Sequence, residues 1–161
     1  DPRNILKIAD ALEERLVLLD PGGTADIRAA AAAFRGGLKS AIGRWEQSAA
    51  RLKGVPVVVH HRDFTYLLFW LGMRETGSLE PKPGVPPSPV HLGDLVERNR
   101  REPAKLVLYA PYTSPKAAEF LAERTGIPAV MLPYTVGGSQ GARDLLSLFD
   151  DTISRLIAVV K

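Results

Sequence analysis

After residue 54 the chain alternates four times between a short apolar run and a longer amphipathic stretch. No other feature restricts the fold as much. Residues 55–59, 75–80, 105–109 and 129–132 read as strands, and the first, third and fourth are near-continuous apolar runs, the mark of strands covered on both faces. Each strand is followed by a helical pattern. Residues 64–71 are strongly apolar, and the next helix runs to about Arg101 with Ser88 as cap and Pro89 at its first position. A third opens at Ser114-Pro115 and ends at Gly126, and the last turns Leu145, Leu148, Ile153, Leu156 and Val160 inward. Crossovers of this length join parallel strands with right-handed connections. The pattern predicts an α/β fold over residues 54–161, a four-stranded parallel sheet with flanking helices.

The first 53 residues do not share that alternation. Ile5, Ile8, Leu12, Leu16 and Leu19 recur at steps of three and four, an amphipathic stripe that Asp20-Pro21-Gly22-Gly23 stops. From Thr24, read as a cap, to Leu52, a second helix keeps Ile27, Ala31, Phe34, Leu38, Ile42, Trp45 and Ala49 on one face. Its length would be roughly 43 Å, more than one small domain needs. Gly36, Gly37 and Gly43 each cost it about 1 kcal/mol against alanine, so packing must hold it. The expected organisation is a helical segment over residues 1–53 that includes a long connecting helix, followed by an α/β lobe over residues 54–161. That arrangement suits one lobe and the connecting rod of a two-lobed protein.

Composition removes several function classes. The 161 residues contain no cysteine, which excludes disulfides, thiol catalysis and thiolate metal sites, so any metal must take N or O ligands. No apolar run reaches the roughly 18 residues of a membrane span. The net charge of +3 is spread along the chain. Its densest basic cluster, Arg98, Arg100 and Arg101, is interrupted by Asn99 and followed by Glu102, a solvated helix end and not a nucleic-acid patch. The five prolines from Pro81 to Pro89 fit neither helix nor strand and mark a loop.

Candidate chemistry concentrates where the first strand meets its helix, in the run V-V-V-H-H-R-D-F. His60 and His61 fall at the carboxyl tip of a strand, the edge of an open α/β sheet where ligands bind. Asp63 is placed to cap the following helix. Adjacent residues on a strand point to opposite faces, so only one of the two histidines is expected as a metal ligand; the plain alternative is a hydrogen-bonded histidine filling a groove. His91 reads as a surface residue of its helix, and Asp150-Asp151 as a charged edge of the last one. The loop V-G-G-S-Q-G-A-R before that helix lacks both phosphate-binding glycine spacings and reads as a flexible turn. No G-x-S-x-G, H-E-x-x-H or C-x-x-C is present. A small α/β metal-dependent enzyme would need a base, a nucleophile or a second ligand at convincing spacing, and none stands out. A receiver-like interaction module would bring acidic strand ends, where this chain offers His61, Pro111 and Pro133.

Several segments, taken in order, are familiar: D-P-R-N-I-L-K-I-A-D-A-L, V-V-V-H-H, L-E-P-K-P-G-V-P-P-S-P-V-H-L and A-P-Y-T-S-P-K-A-A-E-F-L-A-E-R-T-G-I-P. Over essentially the whole chain they resemble the metal-binding solute-binding proteins of zinc and manganese ABC importers, also called the zinc transporter or adhesin-like lipoprotein family. The resemblance implies two lobes joined by a rigid helix, with a metal held in the cleft. It assigns the ligand position of the C-terminal lobe to His61 and leaves His60 in a position that is often aromatic.

The same resemblance places two further ligand histidines in the N-terminal lobe, upstream of Asp1. It implies a carboxylate ligand in a D-P-L-G-like turn after the last strand. Here that turn reads Met131-Leu132-Pro133-Tyr134-Thr135, and neither leucine nor proline binds metal, which leaves the fourth position to water, to an acidic residue elsewhere, or to none. Three neutral imidazoles favour zinc over manganese. The implied function is capture of zinc, with manganese as the alternative cargo, for an ABC transporter permease, by a periplasmic or cell-surface monomer that performs no reaction. The chain opens on Asp-Pro without an initiator Met or signal peptide, and is expected to be a processed form or a fragment.

Overall fold

The computed structural model describes residues 1–160 and resolves two compact units, Asp1–Gln47 and Ser48–Lys161. The first unit is a pair of helices, α1 (Arg3–Leu19) and α2 (Thr24–Ser48). Their turn is organised by Asp20, whose carboxylate accepts from the Gly23 N–H at 3.0 Å. A Cβ on Gly23 would fall 2.4 Å from that carboxylate, so any larger residue there would make the Asp20 side chain shift. Thr24 is not the cap that the sequence suggests: its hydroxyl donates to the Pro21 carbonyl at 2.8 Å. Arg35 of α2 clasps α1 through Asp10, at 3.2 Å, and Glu13.

The apolar stripes have the expected spacing but are not buried inside this unit. Ile8, Leu12 and Leu16 remain exposed and share with Ile27 and Phe34 an open hollow of about 480 Å³. Phe34 is 41% exposed, whereas Leu38, Ile42 and Trp45 further along α2 are buried. The helix runs unbroken through Gly36, Gly37 and Gly43, then ends earlier than Leu52. Beyond Ser48 the backbone tightens into a 3-10 turn over Ala50–Leu52 before Lys53 becomes extended.

In the second unit four parallel strands, β1 (Pro56–Val59), β2 (Arg74–Ser78), β3 (Leu106–Tyr109) and β4 (Ala129–Met131), lie in the order β2-β1-β3-β4. The expected parallel sheet is present. Val57 aligns with Leu106 and Val58 with Val107, while a bulge in β2 sets Val58 opposite Gly77 instead of Thr76. Alternation sends Val58 and Val107 to one face, where they pack with Leu79, Leu92, Leu95, Ala118 and Leu121. Leu92 and Leu95 come from α4 (Pro89–Arg101), and Ala118 and Leu121 from α5 (Lys116–Thr125). Elsewhere in the unit, Trp70 of α3 (Thr65–Leu71) meets Phe149 of α6 (Leu145–Val159) edge to face at 6.0 Å.

Local chemistry explains the helix ends. Ser88 accepts from the His91 N–H at 3.2 Å, with Pro89 at the first position, and Gly126 takes the left-handed conformation that closes α5. Asp144 and Ser147 form a reciprocal capping box at the start of α6. The Gly-rich loop before α6 is anchored: Ser139 donates to Asp151 at 2.6 Å, and Arg155 reaches both Asp151, at 2.9 Å, and the Met131 carbonyl. Asp151 is therefore the anchor of that loop and not simply a charged edge.

Candidate metal centre

The strand order reverses at β1. The chain leaves β1 for β2 on one side and crosses to β3 on the other, which opens a crevice beyond the carboxyl ends of β1 and β3. His60 and His61 follow β1 at that crevice. The backbone there is tied on both sides: the His60 N–H donates to the Leu108 carbonyl at 2.7 Å, and the His60 carbonyl accepts from the Glu80 N–H and the Ser78 hydroxyl, each at 3.1 Å.

His61 is partly exposed, and its Nδ1 lies 2.8 Å from Asp63 Oδ1. An ionised carboxylate only accepts, so Nδ1 carries a proton, and it is the neutral ring of that tautomer that offers its lone pair at Nε2. Asp63 also accepts from the Tyr112 hydroxyl, which stays protonated because desolvation, and then this hydrogen bond, hold its pKa well above the ordinary value. Tyr112 in turn meets Tyr134 edge to face at 5.5 Å, and Tyr134 meets Phe64 at 6.4 Å. A carboxylate that fixes the tautomer and aim of an imidazole is the usual outer support of a metal-binding histidine.

Asp63 does not cap the helix, contrary to the sequence reading. A 3-10 turn over Arg62–Phe64 intervenes, α3 starts only at Thr65, and Asp63 faces His61 instead. His91 also differs from expectation: its Nε2 donates to the Ser78 carbonyl at 2.8 Å, so it pins α4 to the end of β2 and keeps that nitrogen from a metal.

His60 is 6% exposed and its Nδ1 has no hydrogen-bond partner among the described residues. Burial holds its pKa below the ordinary histidine value, against the pull of Glu80 and Asp63, so the ring is neutral at neutral pH. Beyond Val59 the strand alternation lapses, and both rings approach one carboxylate. His60 Nε2 is 3.9 Å from Glu80 Oε1, and His61 Nε2 is 3.7 Å from Glu80 Oε2. Glu80 was not among the residues the sequence singles out. The signal available was its place two residues past a strand that pairs with β1.

The carboxyl end of β4 carries no ligand: Leu132 is fully buried, Pro133 is buried, and Tyr134 joins the aromatic cluster. Among the described residues no three histidine or acidic side chains already converge at metal-binding spacing. No helix among them is long and apolar enough to cross a membrane.

The family model described as "Zinc-uptake complex component A periplasmic", ZnuA, matches residues 1–159. Solved structures share the fold. The crystal structure of ZnuA is 20% identical with a TM-score of 0.84, covering 100% of this chain and 58% of that one. A mutant of the laminin-binding adhesin Lmb from Streptococcus agalactiae is 20% identical with a TM-score of 0.79, covering 100% and 61%. A Cd-bound periplasmic metal binding protein from Candidatus Liberibacter asiaticus is 15% identical with a TM-score of 0.82, covering 100% and 62%. The chain thus spans about three-fifths of the length of these structures. No curated protein matches by sequence. With the α/β lobe, the strand-end histidine and a family match that runs nearly from end to end, the chain belongs to the ZnuA family, named for the periplasmic component A of the zinc-uptake complex.

Proposed function

We propose that this chain captures a divalent metal, zinc in preference to manganese, outside the cytoplasmic membrane and delivers it to the permease of an ABC importer, with His61 Nε2 as a metal ligand. The observation that carries this reading is the His61–Asp63 pair, which holds an imidazole at the sheet's carboxyl edge and leaves Nε2 3.7 Å from Glu80, in a hollow lined also by Ser78 and Pro81. Family membership supports the transport role. In this reading residues 54–161 are the metal-binding lobe, residues 1–53 carry the connecting helix, and two imidazoles of an N-terminal lobe close over the ion.

Imidazole ligands suit zinc better than manganese, which prefers more oxygen donors. Capture needs no bond to be made or broken in the cargo, so in this reading the protein is a carrier and not an enzyme. Zinc titration of the full-length protein tests the reading. His61→Ala is expected to lower zinc affinity at least about tenfold, the low end of losses seen even for outer supporting groups, and His60→Ala to lower it much less. Equal affinity in wild type and His61→Ala would overturn it.

A further inference from the structure

We propose that Glu80 supplies the carboxylate ligand of the metal site, taking the place of the acidic turn that this chain lacks after β4. The inference rests on the reading of His61 as a ligand. The distance is the first support: zinc holds N and O donors at about 2.0–2.1 Å, which spaces two tetrahedral donors about 3.4 Å apart. His61 Nε2 and Glu80 Oε2 are 3.7 Å apart, too long for a hydrogen bond between them and close to the separation that one bridging cation requires. Both residues line a hollow of about 270 Å³ together with Ser78, Pro81 and Pro83.

Charge is the second support. The Glu80 side chain is 17% exposed, and its neighbours at ion-pair range among the described residues are the two imidazoles. One of these, His60, is buried and leaves Nδ1 without a hydrogen-bond partner among the described residues. A mostly buried carboxylate with no Lys or Arg at ion-pair range among the described residues is costly, and a divalent cation at His61 Nε2 would compensate it. The other acidic groups nearby are occupied: Asp63 serves His61 Nδ1 and Tyr112, and Glu75 faces Arg62 at 3.9 Å.

Position is the third. Glu80 is fixed as a ligand should be: Leu79 and Glu80 continue the pairing of β2 with β1 through bonds to the Val59 and His60 carbonyls at 2.8 and 3.1 Å, and the Gly84 N–H donates to Oε2 at 3.1 Å. A carboxylate offers about four lone-pair sites, so the Gly84 contact leaves room for a metal.

The test is zinc binding by the full-length protein, wild type, Glu80→Gln and His61→Ala, using the zinc ion alone as probe in competition with a chelator of known affinity. Glu80→Gln keeps the shape and an acceptor for Gly84, and a thermal midpoint near wild type confirms that it folds. We expect each substitution to weaken zinc binding at least about tenfold. X-ray absorption of the zinc-loaded protein reads the donor set without reference to affinity, and Glu80→Gln should replace or lose one oxygen donor while the imidazole scattering stays. If His61→Ala weakens binding and Glu80→Gln stays within twofold with an unchanged absorption spectrum, Glu80 is not a ligand and the His61 reading survives. If His61→Ala has no effect, the reading beneath the proposal fails, whatever Glu80→Gln does.

Discussion

His61 Nδ1 and Asp63 Oδ1 face each other at 2.8 Å across a 3-10 turn, so the residue that would ordinarily begin the helix instead aims the imidazole. If that contact sets the tautomer, Asp63→Ala frees the ring to rotate and to protonate Nε2. Zinc affinity should then fall about 10- to 100-fold, while the far-UV circular dichroism stays as in wild type. Unchanged zinc affinity in Asp63→Ala would show that the contact does not prepare the ring for metal.

The packing of α4 and α5 on the sheet makes a stability prediction independent of metal. Leu121 is fully buried among Val58, Val107 and Leu95. Leu121→Ala should cost about 2–5 kcal/mol in denaturant unfolding, the range for removing a buried leucine side chain. A loss below about 1 kcal/mol would mean that this face of the sheet is loosely packed.

Asp151 gives a pH dependence. Burial pushes its carboxyl upward, but the hydrogen bonds from Ser139 and Arg155 outweigh burial and hold it below the ordinary value. A depressed folded-state pKa adds stability that is fully present above the unfolded-state value, about 3.9, and is lost as pH falls through the folded-state value. Wild type should therefore exceed Asp151→Asn in thermal midpoint at pH 6, and the gap should shrink below about pH 4. A gap that stays constant down to pH 3 would contradict this.

Much of the fold was legible in the sequence because the strands are short apolar runs with clear stops, and because Ser88, Pro89 and Gly126 punctuate their helices by local chemistry. The end of α2 was less so: the apolar stripe continues through Ala49 and Leu52, and spacing alone does not distinguish α-helix from the 3-10 turn that carries them. Asp63 was misread because a short acceptor ahead of an apolar run has the same local signature whether it caps the helix or holds a neighbouring histidine.

Glu80 was missed for a different reason. In sequence it is the last residue before a proline-rich loop, and only the parallel register of β1 with β2 carries it to the histidines. Register between strands separated by a whole helix is a non-local property. Likewise, His91 has the spacing of a surface residue on its helix, and its bond to the Ser78 carbonyl follows from how α4 docks on β2.

The most direct test of His61 as the metal ligand is a crystal structure of the zinc-loaded full-length protein with anomalous data at the zinc edge. The account predicts an anomalous peak about 2.0–2.1 Å from His61 Nε2, with Nδ1 still bonded to Asp63. Zinc bound elsewhere while the His61 ring stands free of it, or zinc bound through Nδ1 with Asp63 displaced, would contradict it.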